Sequence, residues 1–571
     1  MKNIYITSPI KTPEDIINFS NETSCRDFYV YHHRFMNNFE YINEYIEAAR
    51  NTKSSICVNF KHSVLEEDIN QIKKFIEYLT TTKIDGIYVN SYGVLEIIKT
   101  MDLPFKVIID SYFDIHNLCG IDFMEMFHKI HKLIITEEVY LKNIEKIKKY
   151  AKIPLAVDSD NIPWFAEDMI KSKAISNVVI KGKFQDSKEI LKAIKLIEKI
   201  LDKPKLFKEQ KLPFKHIRKS FYKTNHFSGE MISAEGKDFK FAKNIRKYDW
   251  KVEELDFDEK FDYSKLEFPK LNLRLSSIAQ LKEVDKFIKK YGINPIHSIE
   301  YGEIASTVDL ATKSFDKIIM LVKKFCKSKG IELNLSTPRI LIERDFDRVY
   351  EANKILTTTS PKPKSIVVNN IGYWWAIMND QDMSDVYVDI GGGINLLNSL
   401  ALKCLNNLNP IRAIDFSTLG GIPKVEKGEL LDKIVWEKEE NIAKCLKKTK
   451  RIVTDKKMFI GGCLRVESLG LCPLNCDSAV VSRLSCSAPC HKGHFCLKDP
   501  SLDKILPFLV DGFCKMHMFE DMVVQDFEQI PKYQEMGVNE FVIDFSAIHS
   551  PLIPKVLKNY LTILKHNSGK Q

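Results

Sequence analysis

The sequence predicts an α/β protein of two (β/α)8 TIM-barrel-like domains, the second with a Cys-rich metal-binding insertion after its seventh strand. Two observations lead to this prediction. Two series of eight short apolar runs alternate with amphipathic helical segments, and seven of the thirteen cysteines fall between Cys463 and Cys514. Strands that alternate with helices pair in parallel through crossovers, and eight such units close a barrel.

The first series fills residues 1–203, which we assign to an N-terminal barrel. Segments such as residues 66–82 place apolar side chains at i, i+3, i+4 and i+7, as an amphipathic helix requires. The eight predicted strands are residues 3–7, 27–31, 55–60, 86–90, 106–110, 132–136, 154–158 and 177–181.

Polar residues follow most of these strands, where a barrel keeps its reactive groups. They are His32, His33, Asn59, Asn90, Asp110, Glu137, Glu138, Asp158 and Asp160. Such residues also cap the following helices and satisfy backbone groups at the rim. Because no set of thiols accompanies them, we expect this barrel to bind a partner or to be a degenerate half.

Residues 204–269 are predicted to be a basic and then acidic linker. Between Lys203 and Lys247 there are thirteen Lys or Arg and four acids, an excess that equals the net charge of +9 of the whole chain. Phenylalanines and a tyrosine are interleaved with these cations, a pattern typical of segments that bind single-stranded RNA. A solvated linker is the alternative. An acidic run, residues 253–262, closes the segment.

The second series occupies residues 270–571, with the insertion at 461–515. The predicted strands are residues 271–276, 297–301, 332–336, 365–370, 385–390, 411–417, 456–462 and 541–546. This order places the cysteines at the carboxyl end of a barrel, where the chemistry of such folds is found.

The cysteine spacing indicates a metal centre. Cys472 and Cys476 form one Cys-x3-Cys pair and Cys486 and Cys490 a second, with Cys463, Cys496 and Cys514 nearby and His491 and His494 close behind. Residues four apart on a turn present two thiolates to one centre. Zinc and an iron–sulfur cluster both accept thiolates, and the loose spacing with surplus sulfur favours a [4Fe-4S] cluster over zinc.

The chain has no run of about 18 apolar residues that could span a bilayer. Its first residues lack the basic and apolar regions of a secretory leader. We therefore expect a cytoplasmic protein with reduced thiols and no membrane partner.

Several stretches resemble the peptidase U32 family. They are MFIGGC at residues 458–463, CSAPCHKGHFCLKDP at 486–500, residues 519–546 and, more weakly, residues 394–418. The resemblance implies a [4Fe-4S] cluster on Cys463, Cys472, Cys486 and Cys490, and Cys476, Cys496 or Cys514 could replace Cys463. This chain departs from the family pattern at Gly461, Gly462 and His491, and in the closing Asp544-Phe545-Ser546.

The resemblance further implies an oxygen-independent hydroxylase that modifies an RNA base or a small aromatic precursor, with a prephenate-type carboxylate as oxygen donor. Arg339, Arg465 and Arg483 are candidates to hold the donor's carboxylates, and each could equally be a structural salt-bridge partner. The rival interpretation is a non-catalytic RNA-binding protein stabilised by an iron–sulfur cluster or zinc. A peptidase is less favoured, because no HExxH motif and no evident nucleophile–base pair occurs in the sequence.

Overall fold

The structure of the protein is a computed structural model. It describes residues 4–32, 38–60, 64–127, 129–135, 147, 150–158, 175–181, 186–203, 245–304, 306–383, 385–394, 396–408, 413–415, 444–446, 448, 455–469, 490, 495–499 and 504–568. The chain divides into two compact units. Unit 1 comprises Met1–Phe241 and Asn395–Leu405, and unit 2 comprises Ala242–Ile394 and Asn406–Gln571.

Unit 1 contains a closed barrel of eight parallel strands, as the alternating pattern predicts. The strands are β1 Tyr5–Ile10, β2 Asp27–His32, β3 Ser55–Phe60, β4 Gly86–Val89, β5 Lys106–Ile109, β6 Ile130–Ile135, β7 Leu155–Asp158 and β8 Ile175–Val179. Each pairs with the next, and β8 closes the barrel on β1. The first half of the predicted fold is confirmed.

One layer of the barrel interior receives a side chain from each of seven strands, and this layer is apolar or aromatic. Its members are Tyr29, Cys57, Tyr88, Ile108, Ile134, Ala156 and Val179. Inward positions recur at every second residue of a strand, and their bulk fills a barrel of this size. Removal of this surface from water stabilises unit 1.

The described helices of unit 1 follow its strands and cover the barrel. They are α1 Pro13–Glu22, α2 Ile42–Asn51, α3 Ile69–Leu79, α4 Tyr92–Ile98, α5 Leu118–Glu125 and α6 Ser187–Asp202. In α6 the buried residues Ile190, Ile194 and Ile197 recur at helical spacing, and the Asp186 carboxylate caps the first turn through the Glu189 amide at 2.9 Å.

Unit 2 is built on a twelve-stranded sheet. Its strands are β9 Ile245–Lys247, β10 Lys270–Leu275, β11 Ile296–Tyr301, β12 Glu332–Ser336, β13 Ser365–Val368, β14 Tyr387–Ile390, β15 Ala413–Asp415, β16 Asp455–Leu469, β17 Phe495–Asp499, β18 Lys504–Val510, β19 Met516–Gln525 and β20 Glu540–Asp544. The eight strands predicted for this half coincide with β10 to β16 and β20.

These eight strands are parallel, and each is paired on both sides with another of the eight. β10 to β16 pair in sequence order, and β20 pairs with both β16 and β10. The remaining strands form an antiparallel extension, in which β19 pairs with β16, β18 with β19, and β17 with β18 and β9.

The change of partner along β16 depends on Gly462. Its φ of 98° lies in the left-handed region, and a Cβ there would stand 2.1 Å from the Asp544 carbonyl oxygen. At this residue the parallel pairing with β20 ends, while the antiparallel pairing with β19 continues to Leu469. Cys463 and Arg465, predicted to follow the strand, therefore lie within it.

Helices separate most of the parallel strands of unit 2. They are α7 Ile278–Tyr291, α8 Thr307–Thr312, α9 Phe315–Lys329, α10 Glu343–Thr358, α11 Ile371–Met378, α12 Ser399–Asn406, α13 Ile530–Glu535 and α14 Ile553–Ser568. A capping box of Ser277 and Gln280 begins α7. The α12 residues up to Leu405 belong to unit 1.

The assignment of residues 395–405 to unit 1 is a feature that the sequence did not predict. Within unit 1 the Ser399 amide and hydroxyl both donate to the Glu66 carboxylate, at 2.6 and 2.8 Å. The Asn398 side chain donates to the Val64 carbonyl at 2.8 Å. Both polar residues are thus satisfied by the β3–α3 connection.

The predicted linker is described only in part, since most of the basic segment, residues 204–244, lies outside the described residues. The acidic run packs on α14 of unit 2, where Glu254 pairs with Lys555 and Asp258 with Lys565. Among the helices described, none is long and apolar enough to cross a membrane.

Candidate functional site

The carboxyl ends of the unit 2 strands carry a buried cluster of charges. Arg274 on β10 donates to Glu300 on β11 at 3.0 Å and to Asp544 on β20 at 3.2 Å. Its guanidinium also lies 3.6 Å from Glu303, just beyond β11. Parallel strands end at one edge, so residues from distant parts of the sequence meet there.

Two of the arginines predicted as carboxylate ligands join this cluster. Arg339, after β12, donates to Glu303 at 2.6 Å. Arg465, on β16, donates to the same carboxylate oxygen through Nη1, and its guanidinium faces the Phe519 ring at 5.8 Å. We call Arg274, Arg339, Arg465, Glu300, Glu303 and Asp544 the arginine rim.

The electrostatics of the rim centre on Glu303. Burial would raise the pKa of this carboxyl, but the guanidiniums of Arg465, Arg339 and Arg274 outweigh burial and hold the pKa well below its usual range. Burial raises the pKa of Glu300, which Arg274 offsets only in part. Burial and then Arg339 lower the pKa of Arg465, which stays protonated because a guanidinium is so strong a base.

Like Oε2 of Glu303, Arg465 has unused hydrogen-bonding capacity among the described residues. Its side chain is 4% exposed, yet Nε and Nη2 are buried without a hydrogen-bond partner among the described residues. Buried donors of a cation are costly when unmet. Arg339 is 22% exposed, so the rim is less deeply covered on that side.

Beneath the rim, seven strands of unit 2 contribute one buried polar residue each. They are Asn272, Ser298, Asn334, Ser365, Asp389, Lys457 and Glu540. Lys457 lies 3.0 Å from Asp389 and 3.5 Å from Glu540, and Ser365 donates to Asp389 at 2.7 Å. This polar layer supports the rim from below through paired charges.

Cys463 is the predicted metal ligand closest in sequence to the arginine rim, two residues before Arg465 on β16. Burial raises the pKa of its thiol, with the nearby Asp544 acting in the same direction. Because metal binding needs the thiolate, a metal here would have to displace the proton.

The other predicted ligands are only partly described. Cys496 is buried on β17, and Cys490 is half-buried. Cys472, Cys476 and Cys486 lie outside the described residues, as do Arg483, His491 and His494. Within the described part of the chain no three His, Cys, Asp or Glu side chains form a metal-binding group, and no disulfide joins the described cysteines.

The strand ends of unit 1 form a smaller charged group. Lys181, after β8, pairs with Asp110 and lies 3.4 Å from Asp158, and Asn59 donates to Asp110 at 3.1 Å. Burial would lower the pKa of Lys181, but the two aspartates outweigh burial and raise the pKa. The sequence predicted Asn59, Asp110 and Asp158, and it missed Lys181.

Of the other strand-end residues predicted for unit 1, two make packing or hydrogen-bonding contacts within the fold. The rest lie outside the described residues. His32 stacks on Phe75 with ring centroids 4.0 Å apart, and Asn90 donates to the Phe60 carbonyl. His33, Glu137, Glu138 and Asp160 lie outside the described residues.

A third arrangement of polar side chains in unit 2 was not predicted from the sequence. The Ser468 hydroxyl lies 2.9 Å from Nδ1 of His517, and Nε2 of His517 lies 3.0 Å from Asp511. Ser468 and His517 are cross-strand partners on β16 and β19. A base is thus oriented toward a hydroxyl, an arrangement that was not evident in the sequence. No sequence motif joins residues so widely separated.

Residues 27–158 match the model of peptidase family U32. This part of the chain is therefore similar to family U32. This confirms the predicted family, but through a different part of the molecule. The match runs from β2 to β7 of the first barrel, whereas the cysteine motifs that suggested the U32 resemblance lie in the second half of the chain.

No curated protein matches the sequence. Among solved structures, the chain is similar to a truncated 3-deoxy-D-arabino-heptulosonate 7-phosphate synthase from Thermotoga maritima (12% identity, 35% of this chain and 87% of that chain, TM-score 0.25). It is also similar to a dipeptide epimerase from Enterococcus faecalis V583 (14% identity, 31% of this chain and 54% of that chain, TM-score 0.24). A third similar structure is the spore cortex-lytic enzyme SleL of Bacillus megaterium QM B1551 (8% identity, 52% of this chain and 74% of that chain, TM-score 0.26).

Proposed function

We propose that unit 2 is the catalytic half of a U32 enzyme that binds a small organic carboxylate at the arginine rim and performs oxygen-independent hydroxylation. The observation that carries the carboxylate site is Arg465, whose Nε and Nη2 are buried without a partner among the described residues. The type of reaction rests on the resemblance of residues 458–463 and 486–500 to the family's iron–sulfur members.

A carboxylate is the ligand that best fits these two donors. Nε and Nη2 of a guanidinium point in parallel and match the two oxygens of a carboxylate in a bidentate pair. Glu303 already occupies Nη1 of Arg465 and Nε of Arg339. An incoming anion would therefore bind the Nε–Nη2 edge of Arg465 without displacing Glu303.

Arg274 has a different role from Arg465. Its guanidinium contacts Glu300, Glu303 and Asp544, so we regard it as the structural cation that holds these acids in place. Arg339 is paired with Glu303 but partly exposed, and we propose it as a second donor to the ligand.

The proposed cofactor is a [4Fe-4S] cluster, with zinc as the alternative. Cys463 would be one ligand, because it lies on the same strand as Arg465, and Cys472, Cys476, Cys486, Cys490 and Cys496 would supply the others. A cluster at this position would supply electron transfer and an iron able to bind a substrate oxygen. The thiolate chemistry of Cys463 fits such a role once its proton is lost.

The eight parallel strands of unit 2, each paired on both sides, support a second (β/α)8 barrel for this site. The substrate remains a proposal between an RNA base and a small aromatic precursor. Binding of RNA by residues 203–247 also stays a prediction, because nearly all of that segment lies outside the described residues.

The experiment is a calorimetric titration of anaerobically purified protein with prephenate and with simpler dicarboxylates, alongside iron analysis. Arg465→Lys keeps the positive charge but removes the forked donors, so we expect carboxylate affinity to fall about tenfold or more. Arg50→Lys is the matched control, because Arg50 pairs with Asp85 in unit 1 at 3.2 Å, and it should bind as the wild type does. A wild type that binds none of these anions contradicts the carboxylate site.

A further inference from the structure

The hydrogen-bonded group Ser468, His517 and Asp511 has no part in carboxylate binding as proposed above. Ser468 lies near the end of β16, and Asp511 stands in the turn between β18 and β19. All three therefore lie in the antiparallel extension of the unit 2 sheet. What such a group can do depends on the direction of its hydrogen bonds.

The hydrogen-bond pattern fixes the role of each atom. Oδ1 of Asp511 accepts from the backbone amides of Phe513 and Lys515, each at 2.9 Å, which is the behaviour of an acceptor-only carboxylate. Nε2 of His517 must then donate to Oδ2 of Asp511. In the neutral ring this leaves Nδ1 as the acceptor, so the Ser468 hydroxyl donates to it.

Burial favours this neutral form of the imidazole. His517 and Asp511 are both 1% exposed, and burial lowers the pKa of His517, although the hydrogen bond to Asp511 opposes the effect. The positive charge of Arg465 also lowers this pKa. Ser468, in contrast, is half-buried, so the hydroxyl backed by this buried pair is the member that a substrate could reach.

We propose that Ser468 is the nucleophile of an acyl-transfer site that hydrolyses small esters or amides, with His517 as its general base and Asp511 as the positioning residue. A serine, a base within hydrogen-bonding reach and a carboxylate that orients the base are the parts this chemistry requires. Here the two ring nitrogens have exchanged the roles that they have in the serine proteases.

The reaction needs only water as co-reactant. Oγ of Ser468 forms a bond to the acyl carbon while its proton passes to Nδ1 of His517. The bond from the acyl carbon to the leaving oxygen or nitrogen breaks, and the leaving group takes that proton. Water then attacks the acyl-serine with His517 again as base, which releases the carboxylic acid and restores the Ser468 hydroxyl.

The test is covalent labelling of the full-length, anaerobically purified protein with a fluorophosphonate, followed by peptide mass spectrometry. We expect one adduct, on Ser468. His517→Gln should slow labelling and hydrolysis of p-nitrophenyl acetate by about 10²–10⁴-fold, the usual contribution of a general base. Ser328→Ala is the matched control, because that exposed hydroxyl donates to the Phe325 carbonyl at 2.7 Å, and it should label at the wild-type rate.

Three results would overturn the proposal. The first is a folded wild type with no adduct on Ser468 at saturating probe. The second is labelling that survives Ser468→Ala, and the third is His517→Gln protein that labels at the wild-type rate. None of these results depends on carboxylate binding, because Arg465→Lys leaves Ser468, His517 and Asp511 in place. Failure of this proposal can therefore be distinguished from failure of the proposed function.

Discussion

The two units place side chains of opposite character at the centre of their parallel strands. In unit 1 seven strands contribute the apolar and aromatic layer that includes Tyr29, Tyr88 and Ile108. In unit 2 seven strands contribute a polar layer that includes Asp389, Lys457 and Glu540. Apolar burial stabilises a fold directly, whereas buried charges roughly offset their own desolvation at best.

The strand ends also carry more charge in unit 2 than in unit 1. Unit 1 holds one lysine between two aspartates. Unit 2 holds three arginines and three acids, and Arg465 keeps two buried donors unmatched among the described residues. The comparison teaches that unit 1 is organised for stability and unit 2 for holding charge in a fixed arrangement, although the family match falls on unit 1.

The largest expected effect is a difference in iron content between cysteine variants of the two units. Cys486→Ala and Cys490→Ala should each abolish iron binding, because removal of a thiolate ligand leaves a cluster undercoordinated. Cys57→Ala, in the apolar layer of unit 1, should keep its iron and lose roughly 1 kcal/mol of stability. Iron and sulfide analysis after anaerobic purification measures both. Full iron content in the two ligand variants, or stoichiometric zinc in the wild type, would refute the assignment.

The second prediction tests the polar layer. Lys457→Met should cost about 3–5 kcal/mol of unfolding free energy, since it leaves Asp389 and Glu540 as buried charges without their cation. Urea denaturation followed by tryptophan fluorescence gives the change, with Cys57→Ala as the reference for an interior substitution in unit 1. If Lys457→Met is no more destabilising than Cys57→Ala, the two interiors do not differ as described.

A third substitution examines the strand ends of unit 1. Lys181→Met should destabilise the protein by about 1–3 kcal/mol, because Asp110 loses a buried partner. Carboxylate affinity measured by calorimetry should be unchanged. A Lys181→Met protein that folds normally but no longer binds the carboxylate would move the binding site to unit 1.

The smallest effect is a pH dependence. Because the pKa of His517 is lowered on folding, the unfolded chain binds the additional proton first as pH falls. The contribution of the neutral His517 to stability is therefore complete above the ordinary histidine pKa. Below that pKa the free energy of unfolding decreases, with a slope of at most about 1.4 kcal/mol per pH unit. The charges around His517 are Asp511, Arg465 and Glu303.

His517→Gln should remove this part of the acid sensitivity in urea denaturation between pH 5 and 7, while His566→Gln, near the end of α14, serves as the control. An unchanged pH profile in His517→Gln would show that the histidine is not neutral in the folded state.

The sequence predicted the strands well because alternation of apolar runs and amphipathic helices is a local signal. It also singled out Arg339 and Arg465, which the structure brings together at Glu303, while their role as carboxylate ligands stays a prediction. It missed Arg274 and Glu303, because their roles depend on pairing between strands far apart in the chain. Ser468, His517 and Asp511 were missed because β16 continues past Gly462 into an antiparallel pairing that no periodicity indicates.

The most direct test of the central claim is a crystal structure of the full-length protein grown with prephenate. The account predicts a carboxylate of the ligand at hydrogen-bonding distance, about 2.7–3.2 Å, from both Nε and Nη2 of Arg465, with Glu303 still bound to Nη1. A ligand held instead at Lys181, or an Arg465 without an anion at saturating prephenate, would contradict it.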